Sequence, residues 1–177
     1  MIGPKGYALA REVGRQQLRG RRFTEFYASG IWRTHQTLAA FGEGAGDFML
    51  KLTPMSPPIY VERDDVRELW RVCRQAEIRG EDMVQAALAH DVALFHGLAA
   101  ELATLFMAWA AGFVDGDNVL VIGHSPHLEI MTFGLTGDVM PGLKECEGFR
   151  FVTGDMPIIE RGAPDLDPAA IRQALFP

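Results

Sequence analysis

An apolar run that ends on a glycine and hands a histidine to a turn constrains this chain more than any other stretch: Val119-Leu120-Val121-Ile122-Gly123-His124-Ser125-Pro126-His127-Leu128-Glu129. Four aliphatic residues, preceded by the turn signals Asp115-Gly116-Asp117-Asn118, read as a buried parallel strand, and the segment after Pro126 reads as a helix. His124 then stands at the carboxyl end of a strand, where open α/β sheets gather their ligand-binding groups.

The rest of the chain alternates in the same way. Tyr7 to Leu18 is helical in pattern, Phe23 to Ala28 is a short aromatic-rich strand, and Ser29 is placed to cap a helix from Ile31 to Phe41. Residues 42 to 58 read as a loop, with glycines at the start and Pro54, Pro57 and Pro58 at the end, and then comes a short strand at Ile59-Tyr60-Val61. Helices are expected from Asp64 to Ile78 and from Glu81 to Ala111, separated by Gly80, then from Pro126 to about Leu135. Strands around Phe149 to Val152 and Pro157 to Glu160 and a closing helix from Asp167 to Leu175 complete the reading. No internal repeat is visible. The alternation implies an α/β protein with a mostly parallel sheet and helices on both faces.

With 177 residues, 48% of them hydrophobic and 23% charged, the chain is expected to form one domain with a core that needs neither disulfides nor metal. Cys73 and Cys146 stand in no Cys-x-x-Cys or Cys/His cluster, so no metal site is expected. The start, Met1-Ile2-Gly3-Pro4-Lys5-Gly6, lacks a basic-then-apolar leader, so a cytoplasmic location is expected. A net charge of -6 argues against nucleic acid as a partner, and Arg19-Gly20-Arg21-Arg22 reads as a solvated turn. The apolar stretch from Leu94 to Trp109 is interrupted by His96 and Glu101, which favours a buried helix over a membrane span.

A second informative segment comes directly after the first strand: Ser29-Gly30-Ile31-Trp32-Arg33-Thr34-His35-Gln36-Thr37. With Ser29 as cap, Arg33 lies about one turn into the helix. There its planar fork of donors can turn toward a bound phosphate. Ser29-x-x-x-Arg33-Thr34-x-Gln36-Thr37, with Gly123-His124-Ser125-Pro126 far downstream, resembles the histidine phosphatase superfamily, also called the phosphoglycerate mutase-like family. The opening Pro4-Lys5-Gly6-Tyr7-Ala8-Leu9-Ala10 is similar to the start of that family's first long helix. Matching order runs from about Lys5 to Gly137 and is weak beyond.

The resemblance implies a single three-layer α/β/α sandwich over residues 1–177 and a pocket for a small phosphorylated molecule or phosphoprotein. In the family a nucleophilic histidine attacks phosphorus and becomes a phosphohistidine, while arginines and a second histidine hold the equatorial oxygens. Arg33 matches the helix arginine, His124 the second histidine, and Ser29 a phosphate-side residue. Glu62 is the candidate acid for the leaving group, with a solvated carboxylate beside Arg63 and Asp64 as the stronger reading. Neither a metal nor an organic cofactor is implied.

The nucleophile belongs to a Leu-x-x-Arg-His-Gly-like motif on the family's first strand, and no such motif occurs in this sequence. Leu94-Phe95-His96-Gly97 is the nearest imitation, but it lies within a helical pattern, and His96 is read as a helix residue. There are two explanations: the natural chain starts upstream of Met1, or the protein lacks the strand and is a non-hydrolytic phospho-ligand binder. A missing central strand would leave its neighbours with unpaired backbone groups, to be filled by a second copy of the chain, a rearranged N-terminus or another segment.

Other residues carry plainer readings. Arg33 could be a helix-surface arginine and His124 a turn histidine; His127 is read as exposed, His35 as structural or solvated, and Thr37 as a packed hydroxyl. Gly123-His124-Ser125-Pro126-His127 also begins like the Gly-x-Ser-x-Gly elbow of serine hydrolases, but a bulky histidine occupies the place of the last glycine.

Overall fold

The computed structural model describes residues 1–46, 60–152 and 158–161, and these form two compact units. One comprises the described residues of Met1–Pro57, Val114–Gly123 and Lys144–Pro177; the other comprises those of Pro58–Phe113 and His124–Leu143.

The first unit begins with α1 (Pro4–Val13), whose leading proline costs nothing because a first-turn N–H has no intrahelical partner. The helix expected from Tyr7 thus starts a turn earlier, and its last part, Gly14–Leu18, widens into a π-helical turn. Strand β1 (Glu25–Ala28) leads into α2 (Trp32–Ala45), which runs past the expected end at Phe41. Gly14 and Gly44 let the first and second helical segments touch backbone to backbone: a Cβ on Gly44 would lie 1.8 Å from the Arg11 carbonyl oxygen, and one on Gly14 2.2 Å from that of Phe41. Leu9, Ala10, Val13, Leu38, Ala40 and Phe41 form the buried seam, and it continues onto Ala28 and Ile122 of the sheet.

Strand β2 (Val119–Ile122) pairs with β1 in parallel, Glu25 opposite Val119 and Ala28 opposite Ile122, as the apolar run implies. The ladder is extended at both ends, by Thr24 N–H to Asn118 O at 2.8 Å and Ser29 N–H to Ile122 O at 3.1 Å. The two strands are direct neighbours, so no vacant strand position lies between them. Strands β3 (Phe149–Val152) and β4 (Ile158–Arg161) pair antiparallel, close to their expected places. The chain is therefore mixed α/β with a small open parallel sheet. The expected closing helix from Asp167 lies outside the described residues, as does most of the loop from residue 42 to 58 and Ile59. Tyr60 and Val61 belong to no strand, which corrects that expectation.

The second unit is helical: α3 (Asp64–Arg79), α4 (Met83–His90), α5 (Val92–Ala110) and α6 (His127–Thr136). The single helix expected from Glu81 to Ala111 is broken at Asp91, which takes an extended conformation and accepts the Leu94 N–H at 2.9 Å, capping α5. Asp82 caps α4 in the same way, through Val84 N–H at 2.8 Å and Gln85 N–H at 2.9 Å. Helix α5, with a mean hydropathy of 1.5, is long and apolar enough to cross a membrane by length and composition. One face, carrying Phe95, Leu98, Ala99, Leu102, Ala103, Phe106 and Ala110, is buried, while Ala93, Gly97, Ala100, Thr104 and Ala108 lie on the exposed side. The helix is thus buried along one face and not all round. Gly134 brings α6 against it, since a Cβ there would stand 2.1 Å from the Ala99 carbonyl oxygen.

Candidate functional site

The two sequence motifs leave the same end of the parallel pair: Ser29 comes directly after β1 and Gly123 directly after β2. At the first of these turns Ser29 is buried and does not cap α2, whose N-cap is Ile31, without a side-chain cap. Its hydroxyl lies 3.1 Å from that of buried Thr34, and the Thr34 hydroxyl is 2.9 Å from Ser29 O and 2.7 Å from Ile31 O. Ser29 and Thr34 therefore lock the strand-to-helix turn from within. Arg33, in the first turn of α2, is exposed, and among the described residues no carboxylate pairs with its guanidinium. Trp32 beside it is 65% exposed and its ring stacks on that of half-buried His35 with centroids 6.1 Å apart. Thr37 donates back to the Arg33 carbonyl at 3.0 Å, in an exposed bond along the helix.

At the second turn His124 is half-buried among rings of the helical unit. The Tyr60 ring lies nearly parallel to it, centroids 5.4 Å apart and planes 11° from each other. His127, the first residue of α6, meets His124 at 4.6 Å with planes 71° apart, and itself rests on Trp70 at 4.1 Å and Tyr60 at 5.1 Å. The expectation that His127 is exposed is thereby corrected: the first turn of α6 directs it inward, and its Nδ1 is buried with no hydrogen-bond partner among the described residues. Burial, reinforced by the neighbouring His124, pulls its pKa down to about 3, so the ring is neutral over the physiological range.

Below this cluster the turn is anchored by Glu129, a fully buried carboxylate. Its Oε1 accepts the Ser125 hydroxyl and, at 2.6 Å, the Leu143 N–H. The preceding N–H, that of Gly142, goes to Asp82 Oδ2 at 2.9 Å. Two carboxylates, one from α6 and one from the cap of α4, thus hold consecutive backbone donors of the segment after α6. Ser125, the residue at the nucleophile position of an elbow, has its hydroxyl engaged by the buried Glu129 carboxylate. Cys73 is buried in the same unit, where burial first, and Glu129 to a smaller degree, push its thiol up to about 12, leaving it protonated and unreactive.

Glu62 is exposed in an irregular segment, in keeping with a solvated carboxylate, and its neighbour Arg63 pairs with Asp65 at 3.1 Å and with Glu101. His96 is a helix residue of α5, packed edge-on against Phe133 at 5.0 Å. Among the described residues no group of three or more His, Cys, Asp or Glu side chains could hold a metal ion.

Sequence reading missed Tyr60, Trp70 and the anchoring roles of Asp82 and Glu129. Glu129 lies four residues beyond Ser125, the spacing that brings side chains together on a helix and the one available signal; Tyr60 and Trp70 are distant in sequence and carry none. No family model, curated protein or solved structure matches the chain.

Proposed function

We propose that this chain is a histidine phosphatase-like protein, an α/β/α sandwich acting in the cytoplasm, that binds a small phosphorylated molecule or phosphoprotein with Arg33 and His124 as its phosphate-holding residues. One observation carries the reading: the two motifs that resemble the family begin at the same end of two directly paired parallel strands, Ala28 opposite Ile122 and Ser29 N–H bonded to Ile122 O. That is the edge where α/β sheets bind ligands. The exposed guanidinium of Arg33, without a carboxylate partner among the described residues, supports it further. Guanidinium and imidazole donors suit phosphoryl oxygens, whose negative charge they offset through directed hydrogen bonds.

Hydrolysis would further need a nucleophilic histidine: its nitrogen would bond to phosphorus as the P–O ester bond breaks and the alcohol leaves with a proton from a general acid, and water would then cleave the P–N bond to release phosphate. The alternative reading is a catalytically inactive phospho-ligand binder, which needs no such nucleophile. Neither reading calls for a metal, an organic cofactor, nucleic acid or a membrane.

Calorimetric titration with phosphate and vanadate tests the shared part. Arg33→Ala and His124→Ala are each expected to weaken binding by about tenfold or more, the loss of a charge-assisted contact of about 1.5–3 kcal/mol. Unchanged affinity in both variants would remove the proposal. Turnover of p-nitrophenyl phosphate together with an acid-labile phosphohistidine would decide for the enzyme, and binding without either would decide for the inactive form.

A further inference from the structure

His124 is surrounded in a way that its phosphate-holding role does not by itself require. Tyr60 covers one face of its ring in a near-parallel stack, at 5.4 Å and 11°, while His127 stands across it at 4.6 Å and 71°. A ring bounded by one parallel and one steeply inclined neighbour is restricted both in sliding and in rotation about its Cβ–Cγ bond. The inclined neighbour is itself fixed, by Trp70 at 4.1 Å and Tyr60 at 5.1 Å. The backbone between the two histidines is held as well, through Ser125 on buried Glu129 and Glu129 on the Leu143 N–H.

We propose that Tyr60 and His127 are positioning residues for His124, and that His127 serves as an aromatic wall that holds no ligand itself. The inference rests on the phosphate-holding role given to His124. His127 suits a wall because its Nδ1 is buried and has no hydrogen-bond partner among the described residues. A buried polar atom in that state contributes nothing that a phenyl ring of similar shape would lack. Trp70 completes the stack from the side of His127 and has no ring contact of its own with His124 among the described residues. A donor held in one direction loses less freedom on meeting a phosphoryl oxygen, and such preorganisation is where orienting residues act.

The test uses the full chain, inorganic phosphate as the probe and the His124 Cε1–H resonance as the spectroscopic reporter. In Tyr60→Leu and His127→Ala that resonance should move away from its ring-shifted position, and phosphate affinity should fall about tenfold, whereas Tyr60→Phe and His127→Phe should keep the resonance in place and the affinity within about twofold. Failure of His127→Phe to the same degree as His127→Ala would overturn the inference, because the nitrogens would then matter. An unmoved resonance in Tyr60→Leu would overturn it equally. If the leucine and alanine variants fail to fold, the two phenylalanine variants still decide. Should the wild-type chain not bind phosphate, the reading of His124 as a clamp fails, while the resonance continues to decide whether the two rings position it.

Discussion

Gly134→Ala sets two effects of opposite sign against each other. Alanine is favoured over glycine in a helix by about 1 kcal/mol, so intrinsic propensity alone would stabilise α6. The new Cβ, however, would lie 2.1 Å from the Ala99 carbonyl oxygen, 2.6 Å from its carbon and 2.9 Å from the Ala103 Cβ. A carbon-to-oxygen contact settles near about 3.3 Å or beyond, so α6 must retreat from α5 by about 1 Å. Backbone atoms cannot rotate aside as a side chain would. A gap of that size forfeits about a quarter to a half of the dispersion energy of the atoms facing it, including the Phe95–Phe133 ring pair now at 5.2 Å. Overpacking of this kind costs about 1–3 kcal/mol, and with backbone as the obstacle we take the upper end, leaving a net loss of about 2 kcal/mol. Urea unfolding should show this as a lower midpoint with an unchanged m value. Gly97→Ala on α5 is the control: nothing lies within 4 Å of its Cβ, so there the propensity gain should appear unopposed as about 0.5–1 kcal/mol of added stability. If Gly134→Ala were as stable as the parent, close contact between α5 and α6 would be refuted. Because α6 begins at His127, the same variant should also shift the His124 resonance.

Other expectations rest on single groups. Asp82→Ala removes the acceptor of three backbone N–H groups, those of Val84, Gln85 and Gly142, and should cost about 2 kcal/mol in urea unfolding, with Asp82→Asn recovering a large part. The His127 pKa is depressed in the fold to about 3 from 6.5, so the unfolded chain binds the proton more readily below pH 6.5. Stability from keeping this ring neutral is therefore complete above about pH 6.5 and declines as pH falls toward 3; His127→Phe should flatten that decline, and an unchanged pH profile would count against it. For Cys73 the shift is upward, from 9.0 to about 12, so its contribution is complete below pH 9 and lost as pH rises toward 12. Thiol labelling at about pH 8 should accordingly leave Cys73 unmodified in the folded chain and modify it once urea unfolds the protein; rapid labelling without denaturant would contradict its burial.

Much of the local structure was legible because its signals are local. The aliphatic run at Val119, the aromatic run ending at Ala28 and the amphipathic stretch from Asp64 all fall where the pattern puts them. Interruptions were harder to see. Asp91 within an apolar run divides α4 from α5 by offering its carboxylate to the next turn, a competition between capping and continuation that periodicity does not register. Ser29 was the natural cap by type, but burial turned its hydroxyl inward to Thr34, and Ile31 took the cap position.

By itself, the sequence determined that two short strands would each lead through a turn into a helix, with Arg33 in the first helix and His124 in the second turn, because strand and helix periods and turn residues act over a few neighbours. Only the tertiary structure decided what surrounds those residues. Tyr60 and Trp70 come to the second turn from separate segments, His127 is turned inward against them, and the Leu143 N–H is brought back to Glu129. Ring stacking, desolvation and the satisfaction of buried donors depend on atoms brought together across long loops, and no spacing along the chain encodes those distances.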